Sequence, residues 1–569
     1  MRFPTASDRR SSLRSDPPRS ILDAGEARSA VRFSPSTHPE KQHAVRQGRW
    51  QRWLLRRAGA LDGPLAVSHG ADDVHRTPGD RRNTVVAVSF LALTALATLV
   101  AVAWLITVIA HIDDGYGIDH VSGTWIALAR YVEEGTLYPP LYDGEAFGGT
   151  RFMPVPILVQ SGAALLSGEY LVSAKVLSAV LALALAVVTF LLLRRRCPLP
   201  LALALSSTLL LTGTGLVAAT SVRNDSLPLL LQLVGVTLVA SSASRTRLIA
   251  AGLLCGVALL CKLSAVWGPV AIACYLARRD RRGLPVFAAA FVGALACDVV
   301  AFQVITSGRF ADNILELSAT GSERFGSFDD ASDRVRLILR EGLGPLILLP
   351  LLAAVGTVVA VRRRDVSIYH FAFATAVLAT SVVLVDPGAY VNHLLDVQVL
   401  SLLVIGELWR HMSPAPQRSL TWARLAIVVA LVAASALTFR ENVSLRRDFR
   451  VLVDGTTARD ELPRLAGAIA PGERILSEDP FVPVSRDGRP VILDSYMLLT
   501  LLERHPEWRR DLLQRIREAE FDKVVLYYVP SEAPEWYERI HLGAEVIRAV
   551  ERRYRPARRV DGYWIYVPR

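Results

Sequence analysis

The stretch TVVAVSFLALTALATLVAVAWLITVIA, residues 84–110, determines the class of this protein. It contains no charged residue, and a helix of this length, at about 1.5 Å per residue, exceeds the roughly 30 Å hydrocarbon core of a bilayer. Similar apolar blocks recur between residues 172 and 439. The chain has 569 residues, of which 51% are hydrophobic, and a mean hydropathy of +0.32. It is therefore predicted to be an α-helical polytopic membrane protein.

The formal net charge of +11 is concentrated in the N-terminal tail and in short loops between the apolar blocks. Basic loops of this kind face the cytoplasm, so membrane orientation explains the charge and nucleic-acid binding is not expected. Placing the arginine clusters on the cytoplasmic side predicts about eleven transmembrane helices, with a break near Lys262 that makes the fifth and sixth a hairpin. The predicted spans are 84–110, 172–193, 199–219, 226–243, 248–261, 264–277, 284–305, 338–360, 367–385, 394–410 and 420–439.

These spans divide the chain into three regions. Residues 1–83 are rich in Arg, Ser, Pro and Asp without an apolar period, which predicts a disordered basic tail in the cytoplasm. Residues 84–439 form the predicted transmembrane domain, with 111–171 as its largest outer loop. Residues 440–569 alternate between strand-like and helical patterns, which predicts an extracytoplasmic α/β domain.

Local patterns predict further elements within these regions. In the outer loop, residues 123–134 have an amphipathic pattern that predicts a helix on the membrane surface, while residues 154–166 are apolar but too short to span. In the C-terminal region, the predicted strands are 474–477, 491–493, 523–528 and 563–567, and the predicted helices are 458–470, 497–503, 507–520 and 534–549.

Cysteine and histidine usage gives no sign of a disulfide framework or a metal centre. The five cysteines all lie within or beside predicted spans, which argues against structural disulfides. His111, Asp113 and His120 offer metal-ligand atoms in the outer loop, but their spacing is not diagnostic of a metal site. No cofactor is therefore predicted.

Three aspartates follow the first predicted span. Asp113, Asp114 and Asp119 lie in the stretch HIDDGYGIDH. A carboxylate at the mouth of a membrane cavity can act as a general base toward a sugar hydroxyl. The simpler alternative is that these acids solvate a loop, and the local sequence alone favours that alternative.

The rest of the outer loop carries the motifs GTLYPP, YDG and FGGTRFMP, which begin at Gly135, Tyr142 and Phe147. A first span, acidic residues, a helix ending in G-x-L-Y and an aromatic-x-P stretch occur in this order. Here the chain resembles the membrane glycosyltransferases of the C superfamily (GT-C), which include the bacterial aminoarabinose transferase and the protein O-mannosyltransferases. The resemblance covers about residues 84–410, and the stretch 475–490 looks like the tail of uncharacterised bacterial relatives.

The resemblance implies that an acid in the first outer loop acts as the base or orients the acceptor. Such enzymes often carry an adjacent Asp-Glu or Glu-Asp pair there. This chain has Asp113 and Asp114 together and a separate Asp119, so the identity of the catalytic acid stays open among the three. The distance to the G-x-L-Y turn ranks Asp119 first, Asp114 second and Asp113 third.

Basic residues near the outer surface are candidates for binding the phosphate of a lipid-linked sugar. Arg151 lies near Gly149, whose lack of a side chain allows close approach of a ligand, although Arg151 could be an ordinary loop cation. Lys262 lies in the apolar hairpin, where an ionisable group is costly unless it snorkels to the interface. Lys175 begins the second span on its outer side.

Polar residues in two predicted outer turns complete the candidate substrate-binding set. Arg223 is adjacent to Asn224 and Asp225, with which it could simply pair. Asn392 and His393 follow an Asp-Pro-Gly turn. His393 could bind substrate or relay a proton, or it could be a loop histidine with a local hydrogen bond.

Together, the residues and the resemblance predict a glycosyltransferase of the bacterial inner membrane. It would transfer a hexosyl or pentosyl group, with inversion, from a polyprenyl-phosphate-linked donor to an extracytoplasmic lipid, glycan or protein. The predicted partners are this donor and membrane lipid. Two alternatives are a transporter or flippase of a lipid-linked substrate, which the helix break at Lys262 would suit, and a non-catalytic scaffold.

Overall fold

The structure is a computed structural model that describes residues 78–318, 328–386, 388–412, 418–442, 465, 467–560 and 562–569. Nearly all of the predicted tail 1–83 and most of the predicted helix 458–470 lie outside the described residues. The described residues all fall within one compact unit, Thr77–Arg569.

From Pro78 to Glu441, the described chain consists of helices joined by loops. The long apolar blocks form helices because they can satisfy their backbone polar groups only internally. Two short 3₁₀ helices, Gly344–Ile347 and Val391–Leu394, precede the α-helices that begin at Leu348 and Leu395. The α-helices of this part are α1 Pro78–Ala110, α2 His120–Glu133, α3 Pro154–Ser167, α4 Tyr170–Arg194, α5 Leu199–Leu211, α6 Gly213–Thr220, α7 Ser226–Ser241, α8 Arg245–Leu259, α9 Trp267–Arg279, α10 Gly283–Ile305, α11 Arg309–Ser318, α12 Phe328–Gly342, α13 Leu348–Arg362, α14 Ile368–Val383, α15 Leu395–His411 and α16 Arg418–Glu441.

Within the described residues, six helices are long and apolar enough to cross a membrane, or seven if the bent pair α5 and α6 counts as one span. Shorter apolar helices, among them α3, α7 and α14, lie between them. The chain is therefore a multi-pass membrane protein. A helix lies in each of the eleven predicted spans, and the number that cross the bilayer stays a prediction.

The span predicted at 338–360 begins later than expected. A separate helix, Phe328–Gly342, ends just before it, and the span itself covers Gly344–Arg362. Gly344 adopts a left-handed φ of 52°, and Pro345 lacks the backbone N–H that would continue the preceding helix. The turn therefore separates the charged α12 from the apolar α13.

Helix α15 forms the centre of the bundle. It packs against α4, α5, α13 and α14, and most of its residues are buried. Asn392 and His393 lie in the 3₁₀ turn that immediately precedes it. Because most of α15 is buried, these two side chains are held at a fixed position at one end of the bundle, which we call the loop end.

Helix α2 is buried within the protein and is not the surface helix that its amphipathic pattern predicts. Residues 122–129 are all buried, and Tyr131 is buried as well. The helix packs against α3 and α4 on one side and against a turn of the C-terminal part of the chain on the other. The sequence pattern could not identify this second covering layer, because the residues that form it lie far away in the chain.

The described C-terminal segment, residues 465–569, contains a four-stranded sheet in the order β1-β2-β4-β3. The β1–β2 pair is parallel, and β4 is antiparallel to both β2 and β3. The segment's elements are β1 Ile475–Ser477, α17 Phe481–Val484, α18 Ser495–Arg504, α19 Pro506–Arg517, β2 Lys523–Leu526, a π-helical turn Trp536–Ile540, α20 Ala544–Arg553, β3 Tyr554–Val560 and β4 Tyr563–Pro568.

Three of the four predicted strands are confirmed as β1, β2 and β4, and the fourth is wrong. Residues 491–493 form no strand of the sheet, and Ile492 instead makes an isolated bridge to Phe147 of the outer loop. Strand β3, which contains Pro556 and three arginines, was not predicted. This strand lies at the edge of the sheet, where proline and charge are tolerated.

The C-terminal segment is attached to the whole length of α2. Thr124 Oγ1 donates a hydrogen bond to the Leu493 carbonyl oxygen at 2.8 Å. Farther along the helix, Arg130 Nη1 lies 3.2 Å from Asp487 Oδ1. At its end, Arg489 Nε lies 2.8 Å from Glu134 Oε2. The segment therefore controls the position of the helix that begins immediately after Asp119.

Replacing Gly123 should weaken this attachment. A β-carbon on Gly123 would lie 2.0 Å from Asp479 Oδ1 and 2.9 Å from the Phe481 backbone nitrogen. We expect Gly123→Ala to destabilise the protein by about 1–3 kcal/mol through overpacking, measured by thermal unfolding in detergent. Gly162→Ala is the matched control, because no atom lies within 4 Å of its added β-carbon. Equal stability of the two variants would contradict this contact.

Candidate active site

Asp119 caps the N-terminus of α2 at the loop end. Its Oδ1 accepts hydrogen bonds from the Ser122 backbone nitrogen at 2.9 Å and from Ser122 Oγ at 3.0 Å. Its Oδ2 is ion-paired with Arg223. The side chain is 36% exposed, so the carboxylate is fixed by the helix terminus yet accessible to a reacting group.

The surroundings of Asp119 keep it ionised. Burial raises the pKa of this carboxyl, but the charge of Arg223, together with His120 and the hydrogen bonds, outweighs burial and holds the pKa below its usual range. The hydrogen bond from the Ser122 backbone acts in the same direction. Asp119 is therefore a carboxylate at neutral pH, the form that can accept a proton.

A second ion pair lies next to the first. Lys262 Nζ lies 2.6 Å from Asp225 Oδ1, and Asn392 Nδ2 donates to Asp225 Oδ2 at 2.8 Å. Arg223 and Asp225 thus bind different partners, whereas the sequence suggested that they pair with each other. Asn224 between them has a left-handed φ of 52°, a turn that directs its two neighbours to different sides.

Aromatic rings flank two of the predicted cations. The Arg223 guanidinium lies 5.1 Å from the centroid of the Tyr390 ring, and that of Arg151 lies 5.1 Å from the centroid of Tyr496. Within the described residues, no carboxylate lies within ion-pair distance of Arg151.

His393 interacts electrostatically with Lys262, Asp225, Arg223 and Arg151. Six of the nine predicted site residues therefore lie in one group: Asp119, Arg151, Arg223, Lys262, Asn392 and His393.

Asp114 and Lys175 form a separate cluster. Lys175 Nζ donates to the carbonyl oxygens of His111 and Asp114 at 2.6 and 2.5 Å, and it lies 3.4 Å from Asp114 Oδ1. His111 Nδ1 lies 2.5 Å from Asp114 Oδ2. Both charged side chains are almost completely buried. This geometry suits the attachment of the outer loop to α4 better than contact with a substrate.

The side chain of Asp113, which directly precedes Asp114 in the chain, is by contrast exposed. Among the described residues, no cation lies within ion-pair distance of Asp113. Asp114 is fixed but almost completely buried, whereas Asp119 is fixed, partly exposed and paired with a cation of the loop end.

Several polar side chains from the C-terminal segment approach this site, and they were not predicted as site residues from the sequence. Glu478 and Asp479 follow β1, and Asp479 Oδ2 accepts hydrogen bonds from the hydroxyls of Tyr527 and Tyr563, each at 2.7 Å. His541 contacts His120, the residue after Asp119. The acidic pair at the end of a predicted strand was the available signal, but its proximity to α2 depends on tertiary packing.

Among the described residues, no group of three or more His, Cys, Asp and Glu side chains is arranged to hold a metal ion. Several buried polar atoms at the loop end have no hydrogen-bond partner within the described part of the chain, among them Arg223 Nε, Asn224 Oδ1 and Asn392 Oδ1. Unsatisfied buried polar atoms are rare in folded proteins. A polar ligand bound at the loop end could satisfy these three atoms.

Comparisons of the sequence with protein-family models and with curated proteins give no match. Solved structures are similar in fold. ArnT from Cupriavidus metallidurans bound to undecaprenyl phosphate has 13% identity and a TM-score of 0.49, covering 82% of this chain and 97% of that one. The Archaeoglobus fulgidus oligosaccharyltransferase, tethered with an acceptor peptide, has 10% identity and a TM-score of 0.50, covering 81% and 72%. The protein therefore shares its fold with this oligosaccharyltransferase, in agreement with the fold that the resemblance of the outer-loop motifs implied.

Proposed function

We propose that this protein transfers a sugar from a polyprenyl-phosphate-linked donor to an acceptor hydroxyl. The observation that carries the proposal is the group of Asp119, Arg223, Asp225 and Lys262 at the loop end, where two acids and two cations lie as adjacent ion pairs. A fixed carboxylate beside cations provides a base for the acceptor and positive charge for a phosphate. The fold shared with the oligosaccharyltransferase supports the same reaction class.

The chemistry is a single displacement. Asp119 accepts the proton of the acceptor hydroxyl as the hydroxyl oxygen forms a bond to the anomeric carbon of the donor sugar. The bond between the anomeric carbon and the phosphate oxygen breaks, and its electron pair remains on the polyprenyl phosphate. One displacement inverts the configuration at the anomeric carbon.

The leaving phosphate gains negative charge, so nearby cations lower the barrier. Arg151 is the first candidate, because within the described residues no carboxylate neutralises it at ion-pair distance. Arg223 and Lys262 have carboxylate partners and would share their charge with the phosphate. The remaining polar groups, Asn392 and His393, would orient the sugar or the phosphate.

The orientation of the bundle in the membrane is part of the proposal. Helices α4, α9 and α15 begin near the loop end and finish in Arg194, in Arg278 and Arg279, and in Arg410. Arginines at helix ends mark the cytoplasmic side. The loop end and the C-terminal domain would then face outward from a bacterial inner membrane, with the tail 1–83 inside.

Two measurements test the function. A strain lacking the protein should accumulate a polyprenyl-phosphate-linked sugar, detected by mass spectrometry of its lipids, and the complemented strain should not. Purified protein in detergent should consume this accumulated lipid when membranes of the deletion strain supply the acceptor. A transporter would restore the strain but consume nothing in detergent, because solubilisation removes the two compartments. Absence of both accumulation and consumption would reject the proposal.

A further inference from the structure

The C-terminal segment brings a histidine into contact with the beginning of α2. His541 follows the π-helical turn Trp536–Ile540, and its ring centroid lies 4.3 Å from that of His120. The two rings are nearly perpendicular, with an interplanar angle of 80°. Because His120 directly follows Asp119, a residue from the far end of the chain lies two side chains from the candidate base.

A buried carboxylate holds His541 in place. Glu478 Oε1 lies 2.5 Å from His541 Nδ1, and the two side chains are 1% and 0% exposed. The same carboxylate accepts hydrogen bonds from Trp536 Nε1 at 2.5 Å and from Tyr537 Oη at 3.1 Å. It also accepts from the Tyr527 backbone nitrogen at 3.0 Å. A carboxylate with this many donors cannot rotate freely, so it fixes the imidazole plane.

The hydrogen bond to Glu478 also fixes which ring nitrogen of His541 carries a proton. An ionised carboxylate accepts but does not donate, so Nδ1 of His541 carries the proton of this hydrogen bond. Its Nε2 is buried and has no hydrogen-bond partner within the described residues. An acid that orients one ring nitrogen, with the other nitrogen unpartnered, is an arrangement typical of histidines that act in acid–base chemistry.

His120 is the group through which His541 would act. Burial and the electrostatic interaction with His541 lower the pKa of His120 to about 3, with Asp119 opposing and Arg223 and Arg151 adding to the effect. His120 is therefore neutral at physiological pH. A neutral imidazole can exchange hydrogen bonds with a sugar hydroxyl without adding another positive charge to the site.

We propose that Glu478 and His541 are positioning residues of the transfer reaction, which hold His120 edge-on beside Asp119 so that His120 binds the acceptor hydroxyl. The inference rests on the proposed glycosyl transfer and extends it, because it assigns the acceptor side of the site partly to the C-terminal segment. Asp119 then removes the proton from a hydroxyl that His120 has oriented. The donor phosphate is bound by other residues.

The charged groups facing the pair come from several elements. His120 is influenced by His541, Asp119, Arg223 and Arg151. His541 is influenced by Glu478 and His120, and it interacts electrostatically with Asp494 at the start of α18. Replacing His541 removes one repulsive interaction from His120, so the pKa of His120 should rise. As the pH falls, His120 in this variant would then lose its neutral form at a higher pH than in the wild-type protein.

The test uses full-length protein and two variants. His541→Asn retains a donor to Glu478 near the position of Nδ1 but removes the ring, and Glu478→Gln retains an acceptor but removes the charge. We expect initial rates of donor consumption to fall on the order of 10- to 100-fold, and the acid limb of the pH–rate profile of His541→Asn to move upward. The affinity for undecaprenyl phosphate, measured through thermal stabilisation, should stay within twofold of the wild-type value.

A matched control is His505→Asn, a substitution of the same type at a half-exposed histidine of the same segment that stacks on Trp508. It should leave both rate and pH profile unchanged. If both test variants consume donor at the wild-type rate with an unshifted profile, the inference is overturned while the proposed function stands. If both lose undecaprenyl phosphate binding and thermal stability together, the pair is merely structural and the inference is again overturned. Failure of the wild-type protein itself to consume donor would overturn the proposed function.

Discussion

Asp119→Asn should abolish most of the sugar transfer while leaving the protein folded. General-base catalysis typically contributes about 10²- to 10⁴-fold, and we expect a loss of that size in donor consumption. Asparagine caps helices as well as aspartate does, so the bonds from Ser122 and the start of α2 should survive. The proposed binding of undecaprenyl phosphate, measured as thermal stabilisation, should also persist.

The two neighbouring acids provide the comparison. Asp113→Asn changes an exposed side chain and should have no effect on transfer. Asp114→Asn weakens a buried contact with Lys175 and His111, so it should lower thermal stability more than turnover per folded molecule. If all three variants transfer sugar at the wild-type rate, the base is not among these aspartates. If Asp114→Asn alone loses turnover, the base assignment moves to Asp114.

The pH dependence of transfer should agree with this assignment. Arg223 holds the pKa of Asp119 below its usual range, so the carboxylate form persists into acid solution. The base should lose its function only as the pH falls below the usual range of an aspartate, near 3.9. An acid limb near neutral pH would indicate that a different group limits the reaction.

Asp225→Ala should have the second large effect, this time on stability as well as function. The substitution leaves Lys262 without its partner at 2.6 Å and Asn392 without its acceptor at 2.8 Å. Removing one member of a buried ion pair typically costs about 3–5 kcal/mol. We expect a loss of this size in thermal unfolding experiments, together with weaker binding of undecaprenyl phosphate.

A double variant separates the structural role of this pair from its functional role. Asp225→Asn with Lys262→Met removes both charges and keeps an acceptor for Asn392, so most of the stability should return. Binding of undecaprenyl phosphate should not return if Lys262 contributes to the phosphate site. Recovery of both properties would show that the pair is structural alone.

Glu407→Gln is the matched control for this experiment. Glu407 forms a buried pair with Arg196 at 2.7 Å, near the arginine-rich ends of α4 and α15 and away from the loop end. Its replacement should also reduce stability, but it should leave undecaprenyl phosphate binding per folded molecule unchanged. Equal loss of binding in this variant would mean that the assay reports stability alone.

Sequence reasoning was most successful where the cause is local. Each predicted span contains a helix, because an apolar stretch of about 20 residues must satisfy its own backbone in a bilayer. It was least successful where partners are distant. The predicted strand 491–493 pairs with the outer loop at Phe147, and the arginine-rich β3 is a strand because it pairs with β4 at the sheet edge.

The sequence by itself determined the membrane class, the helical segments, the family resemblance and a short list of candidate acids and cations, because hydrophobicity and motif order are read along the chain. Only the tertiary structure decided which of these residues meet. Asp119 and Arg223 are 104 residues apart, and Asp225 and Lys262 are 37 apart. These pairs form because α2, α7 and the tip between α8 and α9 pack at one end of the bundle, where burial strengthens the attraction of opposite charges. The same packing places His541 beside His120, a contact that no pattern along the chain could indicate.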